Sequence, residues 1–189
     1  METLSPILRL DQQALLALNF DGGELLDTLM WWASDKLIWA PLYLLFIWLL
    51  WRRYGWRQTL AAVVMVVLAV VLADQICNLF KTNLPKFRPT HTPELEGLVH
   101  TVRGYRGGLY GTVSAHAATV TSVAVFGSIL LRRWWWTTLS CVWVALVCYS
   151  RIYLGAHFPM DILCGICLGA LLGWIAVVVW RRVANRLQK

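Results

Sequence analysis

Apolar residues gather along the chain into five long runs, at about 35–51, 59–80, 114–131, 134–153 and 159–180, separated by short basic or polar clusters. About 20 apolar residues cross a bilayer's hydrocarbon as a helix, at about 1.5 Å rise each. The pattern therefore predicts an all-α fold, a polytopic transmembrane helix bundle of five spans. The first run is the weakest. Its uninterrupted part, Leu37 to Trp51, is short, so it must extend past Asp35 and Lys36 into the interface or borrow Trp31 and Trp32. Ahead of it, Ile7, Leu8, Leu10, Leu15 and Leu18 recur at roughly helical spacing with Arg9, Asp11 and Gln12 between them. That periodicity predicts an interfacial amphipathic helix, or a short sixth helix, within residues 1–22. In the last run Gly165, Gly169 and Gly173 stand four residues apart, which lines small residues along one face for the close approach of another helix. No repeat, low-complexity segment or linker divides the chain, so residues 1–189 read as a single membrane-embedded domain.

Composition supports the membrane reading. The chain is 59% hydrophobic and 14% charged, outside the ordinary soluble range. Among its tryptophans, Trp31, Trp32, Trp51, Trp56, Trp134 to Trp136 and Trp180 flank apolar runs, where an indole satisfies both its apolar body and its N–H. A net charge of +7 raises the possibility of nucleic acid, but the basic residues sit in short clusters between apolar segments rather than along a soluble face. They set orientation instead. Arg52, Arg53 and Arg57, then Arg132 and Arg133, then Arg181, Arg182, Arg186 and Lys189 fall on one side of a five-span chain, and the positive-inside rule makes that side cytoplasmic. The long connection 81–113 and the tight link 154–158 then face outward. The outer basic residues Lys81, Lys86, Arg88, Arg103 and Arg106 run against the rule and call for a reason, of which a phosphate is the obvious one. Cys77, Cys141, Cys148, Cys164 and Cys167 all lie within apolar runs, which argues against structural disulfides and for core packing, including the Cys164/Cys167 pair. Residues 1–20, carrying Asp11 and two Gln, do not read as a secretory signal.

Three clusters stand at the outer ends of spans. Lys81 and Arg88 leave the second span seven residues apart, either gripping a phosphate together or snorkelling as anchors. Ser114 and His116 open the third span, where a helix N-terminus favours an anion; Ser114 also suits a plain N-cap. Arg151, His157 and Asp161 bracket the last link, with Pro159 at a first helical position. Asp161, four residues after His157, can reach back to the imidazole and fix its tautomer, or serve only as a helix-start acid. Three costly residues at membrane depth mark a functional site. His91, His100, Glu94 and Glu96 of the outer loop offer zinc ligands alongside His116, but in no ligand spacing of a known kind. Arg103, Tyr105 and Arg106 of the same loop read as a lid or headgroup contact. Asp74, seven residues before Lys81, either pairs with a basic residue of the site or is a structural buried acid.

These residues resemble the type-2 phosphatidic-acid-phosphatase superfamily of integral membrane lipid phosphatases. The resemblance rests on Lys81, Arg88 and Pro89, on Ser114 and His116, and on Ser150, Arg151, His157 and Asp161, in the family's order. Ala115 departs from it, standing where the family has glycine. The resemblance implies a catalytic set of His157 as nucleophile, forming a phosphohistidine, Asp161 orienting it and His116 protonating the leaving oxygen. Lys81, Arg88, Ser114, the Ala115 amide and Arg151 would bind the phosphate, with no cofactor and no metal. The expected partners are the lipid bilayer and a lipid phosphate, with no nucleic acid. The expected location is a bacterial inner membrane with the site facing outward. Undecaprenyl diphosphate ranks first among substrates, ahead of phosphatidylglycerophosphate, phosphatidic acid and a lipid A phosphate. A non-catalytic anionic-lipid binder is the alternative from another class.

Overall fold

A computed structural model describes residues 6–187, so Lys189 of the terminal basic cluster and residues 1–5 of the expected interfacial segment lie outside the described residues. The described chain forms six α-helices, α1 (Pro6–Leu18), α2 (Gly23–Ser34), α3 (Ala40–Asn83), α4 (Ala115–Leu131), α5 (Trp134–Tyr153) and α6 (Pro159–Leu187), with single 3₁₀ turns in the connections. Among the described residues there is no strand, and one bridge pairs Phe87 with Tyr110. The all-α expectation holds. The first two predicted spans appear as the single helix α3, broken at Gly55, whose φ of 75° and ψ of 171° only glycine adopts readily. The break falls in the basic link 52–58, so α3 behaves as two arms, 40–54 and 56–83. Leu37–Asn83 and Pro159–Arg186 are long and apolar enough to cross a membrane, whereas Ala115–Leu131 is apolar but shorter.

α4 is the centre of the bundle, packed against α3, α5 and α6. Its close fit to α6 follows from the glycine stripe. A Cβ at Gly165, Gly169 or Gly173 would come within 2.6 Å, 2.3 Å and 2.6 Å of the Ser114, Ala118 and Ser122 carbonyl oxygens. Omitting three side chains lets two backbones meet, and this fixes where α4 begins relative to α6. The far end is tied as firmly. Tyr54 donates to the Leu130 carbonyl at 2.7 Å and Arg53 to that of Leu131, satisfying carbonyls that the end of α4 leaves free.

Three expectations change. α2, which apolar run-length did not reveal, packs on α5 and brings Ser34 to Arg151 in the last turn of that helix. Trp136 and Trp180 are core residues rather than interfacial ones: Trp136 stacks on Phe46 at 5.4 Å, and Trp180 donates to the Gln58 carbonyl at 3.1 Å. Cys77 and Cys148 are buried as expected, but Cys141, Cys164 and Cys167 are exposed on the outer faces of their helices. α1 forms within the predicted window with Asp11 and Leu15 inward and Ile7 and Leu10 exposed, so an apolar edge faces away from the protein.

Candidate active site

The turn between α5 and α6 assembles half of the site. Arg151 lies in the last turn of α5, and its carbonyl accepts from both the Ala156 amide (2.9 Å) and the His157 amide (3.3 Å), so the chain doubles back over it. Gly155 permits this with a φ of +62°, and a side chain there would collide with Val99 and Thr90. His157 is thereby held beside Arg151 at the mouth of α6. Pro159 opens that helix, as its spacing predicted. The Asp161 carboxylate folds back so that Oδ2 accepts from the Phe158 amide at 3.1 Å and lies 3.5 Å from His157 Nδ1. Among the described residues Nδ1 has no hydrogen-bond partner at this separation, though the carboxylate is close enough to act on its charge. Such contacts commonly tighten only with substrate bound.

α4 supplies the opposite wall. The Ser114 amide donates to the Asp161 carbonyl at 3.0 Å, locking the start of α4 to α6. Ser114 itself is fully buried and its hydroxyl accepts from the Ala117 amide at 3.4 Å, so it caps the helix. Ala115 and His116 line the cavity that results, while Ser114 stands behind it. That cavity, about 170 Å³, also meets Lys81, Arg88, Arg151 and His157, so the sequence-predicted cations and both histidines converge on one space. Arg151 is buried, with Nη1 bonded to Ser34 Oγ and Nη2 to Tyr105 Oη at 3.0 Å, which orients the guanidinium plane. Asp74 also lines the space, accepting from Asn78 (3.0 Å), which accepts from Lys81 (3.2 Å). The acid thus reaches its base through an amide, one of the two roles open to it from sequence.

The long loop between α3 and α4 completes the wall by pairing with itself. The Arg88 amide donates to Leu109 (3.1 Å) and the Gly111 amide to Lys86 (2.8 Å), which presents Arg88 from a short antiparallel ladder. Tyr105 joins the cavity, whereas Arg106 binds the Thr90 carbonyl at 2.7 Å and Arg103 stacks on Trp31 at 5.3 Å. Lys86 does not line the cationic cavity; it bridges Asp11 and Asp161 at 3.1 Å and 2.9 Å. The loop residues weighed as zinc ligands do not converge with His116. His100 bonds Asp27 at 2.9 Å, His91 bonds Thr90 at 3.2 Å, and the potential ligand group found among the described residues is Asp21, Asp27 and His100. Burial pushes the His157 imidazole down to about 4 against the raising influence of Asp161, so it is neutral at pH 7. Sequence reasoning missed Ser34, Lys36 and Thr119. Lys36 and Thr119 line the cavity and Ser34 holds Arg151. Only the Asp35-Lys36 pair at a span's edge offered a signal.

A second, wholly different space adjoins this one. An apolar groove of about 280 Å³ runs between the two arms of α3 and along α4, past Tyr43, Phe46, Val66 and Val120. Lys36, His116 and Thr119 line both the groove and the cationic cavity.

The PAP2 superfamily profile matches residues 58–185, the stretch that contains every sequence-predicted site residue. The chain belongs to the PAP2 superfamily. Lipid A 4′-phosphatases are among its PAP2 relatives, with 35% identity in Bacteroides thetaiotaomicron, covering 100% of this chain and 83% of the relative. The corresponding protein of Porphyromonas gingivalis is 36% identical over 95% of this chain and 77% of its own. An undecaprenyl-diphosphatase of Sulfolobus acidocaldarius is 27% identical over 86% and 74%. The fold matches Aquifex aeolicus LpxE (TM-score 0.66, 22% identity, 94% of this chain and 98% of that one). It also matches the transmembrane PAP2-type phosphatidylglycerolphosphate phosphatase of Bacillus subtilis (TM-score 0.71, 17% identity, 95% and 89%).

Proposed function

We propose that this PAP2 phosphatase removes a phosphate from a phosphorylated glycolipid, with the 4′-phosphate of lipid A as the leading substrate. One observation carries the lipid reading: the cationic cavity and the apolar groove share Lys36, His116 and Thr119, so a phosphate and an acyl chain of one molecule fit side by side. The first ranking of undecaprenyl diphosphate is not sustained. The relatives at 35% and 36% identity are lipid A 4′-phosphatases, whereas the undecaprenyl-diphosphatase stands at 27%. Purified protein is expected to release phosphate from lipid A faster than from undecaprenyl diphosphate or phosphatidylglycerophosphate. The reverse order would overturn the assignment. EDTA should leave the rate unchanged, because Lys81, Arg88 and Arg151 supply the positive charge; loss in chelator restored by zinc would assign that charge to a metal.

The chemistry follows the placement of the rings. Asp161 faces Nδ1 of His157, which leaves Nε2 for phosphorus. The Nε2–P bond forms as the bond from phosphorus to the lipid oxygen breaks, and the departing oxygen takes its electron pair and a proton from His116. Water then attacks phosphorus, His116 takes the proton back, and the P–N bond returns its pair to His157. Lys81, Arg88, Arg151 and the Ala115 amide hold the equatorial oxygens, and Ser114 keeps that amide aligned by capping α4. Fixed donors aimed at developing charge are the main source of rate in such a transfer.

The same reading has all five apolar runs crossing a bacterial inner membrane, with the site on the outer side. In a background without native cysteines, Leu98→Cys, at an outer-loop position 60% exposed, should react with an impermeant maleimide in intact spheroplasts. Labelling only after permeabilisation would invert the topology.

A further inference from the structure

Lys86 is a cation at the site that touches no part of the phosphate cavity. Its Nζ sits between two carboxylates, 2.9 Å from Asp161 Oδ1 and 3.1 Å from Asp11 Oδ2, and 4.3 Å from the centre of the Phe158 ring. Both carboxylate side chains are almost fully buried, 2% exposed for Asp11 and 3% for Asp161. Asp11 is further fixed by the Met160 amide, which donates to its Oδ1 at 2.9 Å. A run of contacts therefore leads from α1, through the loop, to the imidazole: Asp11, Lys86, Asp161, His157. From these contacts we infer that Asp11 and Lys86 are positioning residues, which hold Asp161 in place and set how much negative charge it presents to His157.

The charge balance explains why both are needed. Lys86 alone would neutralise Asp161 and weaken its support for the imidazolium that forms when His157 attacks phosphorus. Asp11 alone would place two buried anions side by side with no counter-charge between them. With all three present, the group carries one net negative charge, which matches the single positive charge on phosphorylated His157. Burial works against the Lys86 ammonium, yet Asp161 and Asp11 together raise its pKa above the ordinary value, so the bridge stays charged. The other groups facing His157 are cationic or neutral: Arg88 from the loop, Arg151 from α5 and His116 from α4. Lys81 and Asp74 of α3 line the same cavity. Among the described residues Asp161 is thus the one anion paired directly with the imidazole, and its charge is the quantity the bridge controls.

This inference rests on His157 as nucleophile, and the test separates the two. Wild-type protein, quenched during turnover, should carry an acid-labile, base-stable phosphohistidine; its absence removes His157 as nucleophile and the bridge with it. Given the phosphoenzyme, the pH dependence of kcat/KM on one substrate decides. Asp11→Asn keeps the acceptor for the Met160 amide but removes a charge, so the acid limb should move down by about one pH unit and the plateau rate should fall. Lys86→Met should move the limb up by about as much, since Asp161 then presents more negative charge to the imidazolium. The double variant Asp11→Asn/Lys86→Met restores the net charge of the group and should return the limb toward wild type. A merely structural role predicts a double variant at least as impaired as the worse single one. Limbs that stay in place, or move in the same direction in both single variants, would overturn the inference. Should Lys86→Met fail to fold, the direction of the Asp11→Asn shift alone still decides.

Discussion

Replacing His157 with alanine is expected to abolish turnover and the phosphoenzyme together, a fall in kcat on the order of 10³-fold or more. His157 is 2% exposed, in a turn fixed by Arg151, Gly155 and Asp161, and no other described side chain with nucleophilic chemistry shares its contact with a buried carboxylate at the cavity. The measurement is burst-phase phosphate release alongside phosphohistidine detection, on protein whose thermal midpoint matches wild type. A comparison with His116→Ala separates the two rings. An acid that protonates the leaving oxygen matters most for poor leaving groups, so His116→Ala should retain more activity on an aryl phosphate than on a lipid phosphate. His157→Ala should spare neither. A variant lacking His157 that still turned over at a substantial rate would displace the nucleophile assignment. Burial holds the His157 pKa at about 4, below its ordinary range, so the neutral, nucleophilic form predominates at pH 6 and above. Activity should be lost only as pH falls toward that value or through the substrate's own ionisation.

The second large effect belongs to Arg151. Its guanidinium is buried and forked between Ser34 and Tyr105, Nε has no partner among the described residues, and Arg151 lines the cavity. Arg151→Lys preserves the charge but not the plane, and a point charge cannot span two phosphoryl oxygens. kcat/KM should fall by roughly 10²–10³-fold, the scale set by losing an oriented donor to transition-state charge. Orthovanadate gives an independent readout, because it adopts five-coordinate geometry with three equatorial oxygens and accepts an axial imidazole nitrogen. It should inhibit competitively and bind more tightly than phosphate, and Arg151→Lys should erode that advantage. Equal vanadate affinity in wild type and variant would remove Arg151 from the equatorial shell.

The sequence by itself determined the all-helical fold, the close seam of α6 and most of the residues that line the cavity, though not Lys36 or Thr119. Each rests on a local rule. Run-length against bilayer thickness marks the long helices, four-residue spacing puts Gly165, Gly169 and Gly173 on one face, and costly polar residues at span ends mark Lys81, Arg88, His116, Arg151, His157 and Asp161. Only the tertiary structure decided what surrounds them. α2 escaped notice because residues 23–34 are too short and mixed to read as a span, although their packing on α5 places Ser34 against Arg151. Trp136 and Trp180 read as interfacial because composition does not reveal which face of a helix turns inward. The cysteines read as core for the same reason, and three lie on outer faces. Lys86 looked like one more outer cation awaiting a phosphate. Its partner Asp11 lies 75 residues away on α1, and no periodicity connects residues that only folding brings within 3.1 Å.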